Sequence, residues 1–389
     1  MTVHTNSTAA SDFQAPERSH LRIGFVPLTD CAPLVAAKML DFGQRHGLTL
    51  ELCRQPSWAA VRDKLLSGEL DAAHSLYGLV YGVQLGLGGP QADMAILMTL
   101  NRNGQAIAVS NRLADALDGG QPLRAALATL RHKPVFAQTF PTGTHAMWLN
   151  YWLAAQGVHP LHDIESVVIP PPQMTDALAQ GELDGFCAGE PWPAMAEARQ
   201  AGRTIAGSGA IWPNHPEKAL ACRREFAALY PNTARALICT VLEACQWLES
   251  PANRRSASAW LARPEYVNVP QEIIEPRLLG DYRGAALAGA SLPVRFFDEA
   301  GMNFPLPADG LWFLTQYYRW GMLKTTSDWE NIAAAVSQTE LYRQAAASLG
   351  YFSSSVLPSA SRFMDGRVWD GNNALAYADS FSIRANTPG

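Results

Sequence analysis

Four side chains in this chain could together hold a small anion: Trp58, Gln105, His145 and Lys218. An indole N–H, an amide, an imidazole N–H and an ammonium are all hydrogen-bond donors. As a set they suit a small oxyanion with acceptors in several directions. Lys218 opens a strand-like run over 218–223, directly after the rigid aromatic loop Ile211-Trp212-Pro213-Asn214-His215-Pro216-Glu217. Gln105 opens another run, 105–110, after Asn101-Arg102-Asn103-Gly104. His145 stands at the start of a helical stretch after Pro141-Thr142-Gly143-Thr144. There the unpaired N–H groups and the dipole of the helix attract anions. Trp58 begins a further helix. Each residue also has a plain structural reading: a solvated lysine, a capping histidine, a core tryptophan, a glutamine bonding backbone at a strand end.

Catalytic patterns do not compete with this set. Leu85-Gly86-Leu87-Gly88-Gly89-Pro90 is glycine-rich but does not fit GxGxxG, and reads as a loop. Walker A, HExxH and GxSxG patterns are absent. The nine histidines form no i,i+4 pair. Cysteines at 31, 53, 187, 222, 239 and 245 give no CxxC and no zinc spacing. Several fall in apolar patterns, where Cys behaves as a small hydrophobe. No catalytic residue, cofactor or resident metal is expected.

The elements that would position the donors announce themselves by an internal echo. Leu65-Leu66-Ser67-Gly68-Glu69-Leu70-Asp71-Ala72 recurs as Leu178-Ala179-Gln180-Gly181-Glu182-Leu183-Asp184-Gly185. Each copy ends a helical pattern and runs into small residues. Each is preceded by strand, helix and strand: 21–27, about 32–46 and 48–53 before the first, and 134–140, 144–156 and 167–169 before the second. That alternation is the pattern of parallel α/β units. The spacing is too long for a solenoid, whose repeats run about 20–50 residues. Two lobes of like construction follow, with ligand beyond the carboxyl ends of the strands. Those ends are Thr29-Asp30-Cys31 and 141–145.

The runs 105–110 and 218–223 read as two crossing strands of a hinge. The expected division is a disordered tail over 1–19, lobe I over 20–110 plus 218–389, and lobe II over 111–217. A helix is expected over 231–249, irregular chain with short helices over 251–310, and two short helices over 327–349. The last forty residues are expected to wrap loosely, anchored by Phe363 and Trp369. A composition of 48% hydrophobic and 17% charged residues in 389 fits a globular chain. The net charge of −5 argues against direct nucleic-acid contact, which needs a basic face. No apolar run approaches the roughly 18 residues of a membrane span. Residues 1–20 are polar, with no basic and apolar leader pattern, so the expected location is cytoplasmic. A mature exported protein behind a new Met would read the same.

Several segments resemble the nitrate-binding proteins of the nitrate/bicarbonate ABC-transporter family. They are Ile23-Gly24-Phe25-Val26-Pro27-Leu28-Thr29-Asp30-Cys31-Ala32-Pro33-Leu34, residues 57–65, Pro170-Pro171-Pro172-Gln173-Met174, Gly189-Glu190-Pro191-Trp192 and 211–218. The resemblance covers about residues 20–385. It implies a periplasmic-binding-protein type II fold, with two α/β lobes joined by two crossing strands and the ligand cleft between them. It also implies nitrate or nitrite held by Trp58, Gln105, His145 and Lys218. The bicarbonate-binding relatives carry an acid where this chain has Lys218, so the lysine favours a monoanion without a cation. The expected cytoplasmic location points to the sensor branch of the family. There the binding protein holds an RNA-binding ANTAR-type antiterminator inactive until the anion arrives. A solute-binding subunit of a nitrate ABC transporter is the alternative. An enzyme of the related thiamine-pyrimidine group is a third, but it would need a Cys-rich iron site.

Overall fold

The computed structural model describes residues 14–282, 293–326, 328–351 and 360–387. Of the tail expected to be disordered, 1–13 lie outside the described residues, while 14–19 are docked. The Glu17 carboxylate accepts from the Thr233 backbone N–H at 2.7 Å, and Arg18 donates to Asp71 at 2.7 Å.

Ten strands form two five-stranded sheets. They are β1 (His20–Phe25), β2 (Thr49–Arg54), β3 (Ala72–Leu76), β4 (Met94–Arg102), β5 (Gln105–Ser110), β6 (Val135–Gln138), β7 (Glu165–Val168), β8 (Gly185–Gly189), β9 (Gly202–Gly207) and β10 (Pro216–Arg223). The first sheet has the order β2-β1-β3-β10-β4 and the second β7-β6-β8-β5-β9. The two orders correspond strand for strand. In each sheet three parallel strands are followed by an antiparallel strand beside the central one, β10 in the first and β5 in the second. Helices Ala32–Met39 and Thr144–Ala155 lie between the first two strands of each half.

The echo has a physical cause. Helix Trp58–Ser67 starts with the Ser57 side chain accepting from the Ala60 N–H, and ends at Gly68, whose φ is 77°. Helix Pro171–Ala179 ends just before Gly181, φ 74°. Left-handed φ is open to glycine without a Cβ clash. Three residues on, each echo aspartate closes the same loop. The Asp71 carboxylate accepts the Arg22 N–H of β1 at 2.8 Å, and the Asp184 carboxylate accepts the Val135 N–H of β6 at 2.8 Å. Each aspartate thus ties the strand that follows the helix to the first of the three parallel strands, in chain order, of its own sheet.

Gln105–Ser110, expected with the first lobe, pairs with β8 and β9 in the second sheet. The change of sheet falls at Asn103 and Gly104, with φ of 59° and 89°. The return falls between β9 and β10, where Asn214 has φ 58°. The two crossings are bonded to each other: Asn103 N donates to His215 O at 3.2 Å, and Arg102 Nη1 to Asn214 O at 2.8 Å.

Helices after β10 complete the first lobe, among them Pro231–Trp247, Pro251–Leu261, Gln271–Leu279 and Pro307–Arg319. The 327–349 stretch yields Trp329–Val336 and Thr339–Ser348, with Ser327 itself outside the described residues. The C-terminal stretch 360–387 is more firmly packed than expected. Phe363, Trp369 and Phe381 are buried. Phe363 stacks on Trp212 at 4.9 Å, Phe381 meets Tyr151 at 5.7 Å, and Trp369 donates to Ala308 O at 3.3 Å. Among the described residues, no helix is long and apolar enough to cross a membrane.

Candidate functional site

The matched topology places the donors. Lys218 on β10 stands opposite Leu76, the last residue of β3. Gln105 on β5 stands opposite Gly189, the last residue of β8. Both antiparallel strands therefore present a polar side chain at the carboxyl end of the central parallel strand of their sheet. The loops after β1 and β6 bring Asp30 and His145 to the same place. Carboxyl ends of parallel strands are where open α/β sheets put their ligands.

All four expected residues belong to one buried network. Trp58, His145 and Lys218 are fully buried, and Gln105 is nearly so. Lys218 Nζ lies 5.7 Å from the Trp58 ring centre. It donates to Asp30 Oδ2 at 2.7 Å and to Glu217 Oε1 at 2.9 Å. Gln105 Nε2 donates to the same Asp30 oxygen at 3.0 Å, and Gln105 Oε1 meets His145 Nε2 at 2.8 Å. The other His145 nitrogen pairs with Thr139 Oγ1 at 2.6 Å. Helix Thr144–Ala155 contributes two more donors across the cleft. Thr144 Oγ1 donates to Glu217 Oε1 at 2.5 Å and Trp148 Nε1 to Glu217 Oε2 at 2.7 Å.

Asp30, Glu217 and His74, like Thr139, Thr144 and Trp148, were not among the expected ligands. His74 Nε2 pairs with Asp30 Oδ1 at 2.7 Å, and its ring lies 5.5 Å from that of Trp58. Asp30 and Glu217 were visible only as neighbours, at a strand end and beside Lys218. Nothing in their spacing tells that both carboxylates converge on one ammonium.

The electrostatics follow from burial and pairing. Burial works against the Asp30 carboxylate, yet Lys218 and His74 together hold its pKa below the usual carboxylate range. Burial also works against the Lys218 ammonium, but Asp30 and Glu217 raise its pKa. Burial pushes Glu217 up, against the pull of Lys218 and its hydrogen bonds. The three imidazoles nearby are pushed down, chiefly by burial: His74, His145 strongly, and His215 to about 3. One fixed cation therefore faces one ionised carboxylate and a second carboxyl whose proton is easier to keep. Two buried nitrogens of this network, Trp58 Nε1 and His74 Nδ1, have no hydrogen-bond partner among the described residues. Buried polar atoms are nearly always satisfied, so such atoms call for an explanation. A small anion beside Lys218 would accept the indole N–H directly. Among the described residues, no group of three or more His, Cys, Asp or Glu side chains could hold a metal ion.

The comparisons with known proteins agree with this architecture. The model of the NMT1-like family matches residues 14–262. The nitrate/nitrite binding protein NrtA of Synechocystis sp. PCC 6803 is 35% identical over 387 residues, covering 95% of this chain and 86% of that protein. The nitrate import ATP-binding protein NrtC of the same organism is 36% identical over 373 residues, covering 94% of this chain. The chain spans 56% of that relative's length. The crystal structure of the periplasmic nitrate-binding protein NrtA from Synechocystis PCC 6803 superposes with a TM-score of 0.89 at 34% identity, covering 95% of this chain and all of that one.

Proposed function

The chain belongs to the NMT1-like family, and from that premise we propose that it binds nitrate or nitrite in the interlobe cleft and serves as the solute-binding subunit of a nitrate importer. The observation that carries the binding claim is the unpartnered indole N–H of Trp58, whose ring centre lies 5.7 Å from the buried Lys218 ammonium. Trp58, Gln105, His145 and Lys218 are the proposed ligand set. Lys218 supplies the countercharge and the others orient the anion. A planar monoanion needs only short donors, which is what the cleft offers. Bicarbonate-type relatives with an acid at the Lys218 position would need an added cation there.

The transporter role replaces the expected cytoplasmic sensor. That expectation rested on the first twenty residues, whereas one relative compared above is named as a nitrate import protein and another as a periplasmic nitrate-binding protein. The expected antiterminator partner gives way, in this proposal, to the membrane and ATP-hydrolysing subunits of an importer. In NrtC the matched region makes up about half of a nitrate import ATP-binding protein. Stimulation of a reconstituted nitrate importer's ATPase by the nitrate-loaded protein separates the transporter role from the sensor role.

The binding claim is tested by titrating nitrate against intrinsic tryptophan fluorescence, since Trp58 and Trp148 both lie in the network. Lys218→Ala lowers affinity at least tenfold, because a charge-assisted hydrogen bond contributes about 1.5–3 kcal/mol. A Lys218→Ala protein that stays folded and binds nitrate as tightly as wild type places the anion elsewhere.

A further inference from the structure

The anion network is not the sole set of polar groups joining the lobes. Arg277 lies on helix Gln271–Leu279, which packs on Pro251–Leu261 and through it on Ala32–Met39 of the first lobe. Its guanidinium reaches across the cleft mouth to two carboxylates of the second lobe. Nη2 donates to Glu197 Oε2 at 2.5 Å, and Nε lies 3.3 Å from Glu190 Oε1. Glu197 is on helix Trp192–Ala198, which packs on β8 and β9, and Glu190 directly follows β8. Arg277 is 4% exposed and Glu190 1%. The Arg277–Glu190 contact is thus desolvated, Glu197 stays a quarter exposed, and both contacts lie outside the anion network.

The same short stretch of the second lobe grips the first-lobe loop that carries Asp30. The Glu190 carbonyl accepts from Thr29 N at 2.7 Å and from Thr29 Oγ1 at 3.1 Å. Trp192 Nε1 donates to Pro27 O at 3.0 Å. Asp30, the next residue, receives Lys218 and Gln105. A movement of the second lobe away from Arg277 would therefore pull on the loop that shapes the anion site.

We propose that Arg277 is a positioning residue that latches the closed form through Glu190 and Glu197 and so sets the affinity of the cleft without touching the anion. Part of this rests on the anion-binding reading above; the latch itself does not. Opening separates the guanidinium from both carboxylates and lets water reach all three. Without Arg277, the closed form must keep Glu190 buried with no countercharge or protonate it, whereas the open form solvates the carboxylate. The sign of the effect therefore does not depend on the net worth of the ion pair. A ligand that binds only the closed form loses apparent affinity in proportion to the closed population. Burial already pushes Glu190 up to about 7 despite Arg277, which shows how little solvation the closed form gives it.

Amide hydrogen exchange at Thr29 reads the latch without any ligand, because its N–H bonds across the cleft to Glu190 O. In ligand-free Arg277→Ala, exchange at Thr29 is expected to speed at least fivefold while Ile23 and Phe25 in β1 keep wild-type rates. Arg277→Lys restores part of the protection, and Glu197→Gln, which keeps the side-chain frame, loses part of it. In nitrate titrations the alanine variant shows at least fivefold weaker binding, carried by faster dissociation. Unchanged Thr29 exchange in the alanine variant overturns the latch. So does acceleration spread equally through β1, which would mean general loosening. If wild type fails to bind nitrate, the functional reading falls while the exchange comparison still decides the latch.

Discussion

Trp58 offers the cleanest separation of binding from folding. Its indole N–H has no partner among the described residues, so nothing in the fold depends on that hydrogen. Trp58→Phe removes the donor and keeps most of the ring. We expect some loss of stability in chemical denaturation, from the cavity the smaller ring leaves, and a nitrate affinity lowered about tenfold, from the loss of roughly 1.5 kcal/mol in a hydrogen bond to an anion. Equal affinity in the two proteins would return Trp58 to the core. Glu217 carries the pH dependence. It faces Lys218, Thr144 and Trp148 as donors, His145 at 3.6 Å and His215 at 3.7 Å, with Asp30 also bonded to Lys218 and the Cys187 thiol nearby. Its folded pKa lies above 4.5, so it keeps its proton to higher pH than a free glutamate and loses it as pH rises. The ionised form repels the incoming anion. Nitrate affinity is therefore highest at low pH, within the range where the protein stays folded, and falls as pH climbs through that raised value. Glu217→Gln, titrated over the same range, should flatten the profile; an unaltered slope assigns the proton elsewhere. The sequence placed the four residues at or near the start of an element, and the family resemblance rather than their spacing named them as ligands. It did not show Asp30 and His74 as partners, since their contact joins a loop and a strand well separated along the chain.

At the scale of elements, the echo is explained by two glycine helix ends and two aspartates. Asp71 and Asp184 each bind the first parallel strand of their own sheet. Replacing either by Ala leaves a buried strand N–H without a partner, which costs about 1–3 kcal/mol. Urea unfolding should show comparable losses for Asp71→Ala and Asp184→Ala, nearly additive in the double variant because the sites share no partner. A cost confined to one of them would break the structural equivalence. The strand and helix periodicities marked both lobes with small errors at the ends. The membership of 105–110 was harder to see. An apolar run after a glycine reads as a strand, but its ladder partners, β8 and β9, come about eighty and a hundred residues later. The C-terminal stretch was underestimated for a related reason. Its Ser, Gly and Asn content reads as loose chain, while Phe363, Trp369 and Phe381 find their pocket only against Tyr151, Trp212 and helix Pro307–Arg319.

At the scale of the whole molecule, two similar sheets meet around one buried ammonium that donates to both Asp30 and Glu217. Asp30 ties it to Gln105 of the second sheet, and Glu217 ties it to helix Thr144–Ala155. A ligand that binds only this folded, closed form must stabilise it, by about 2.7 kcal/mol at a hundredfold excess over Kd. The central claim is that the enclosed ligand is nitrate or nitrite. Isothermal titration calorimetry of the purified chain with nitrate, nitrite, bicarbonate and sulfate tests it most directly. The account predicts saturable one-to-one binding of nitrate or nitrite in the micromolar range, about −8 kcal/mol, and none of sulfate or bicarbonate. Binding of bicarbonate with no heat from either nitrogen oxyanion would contradict it.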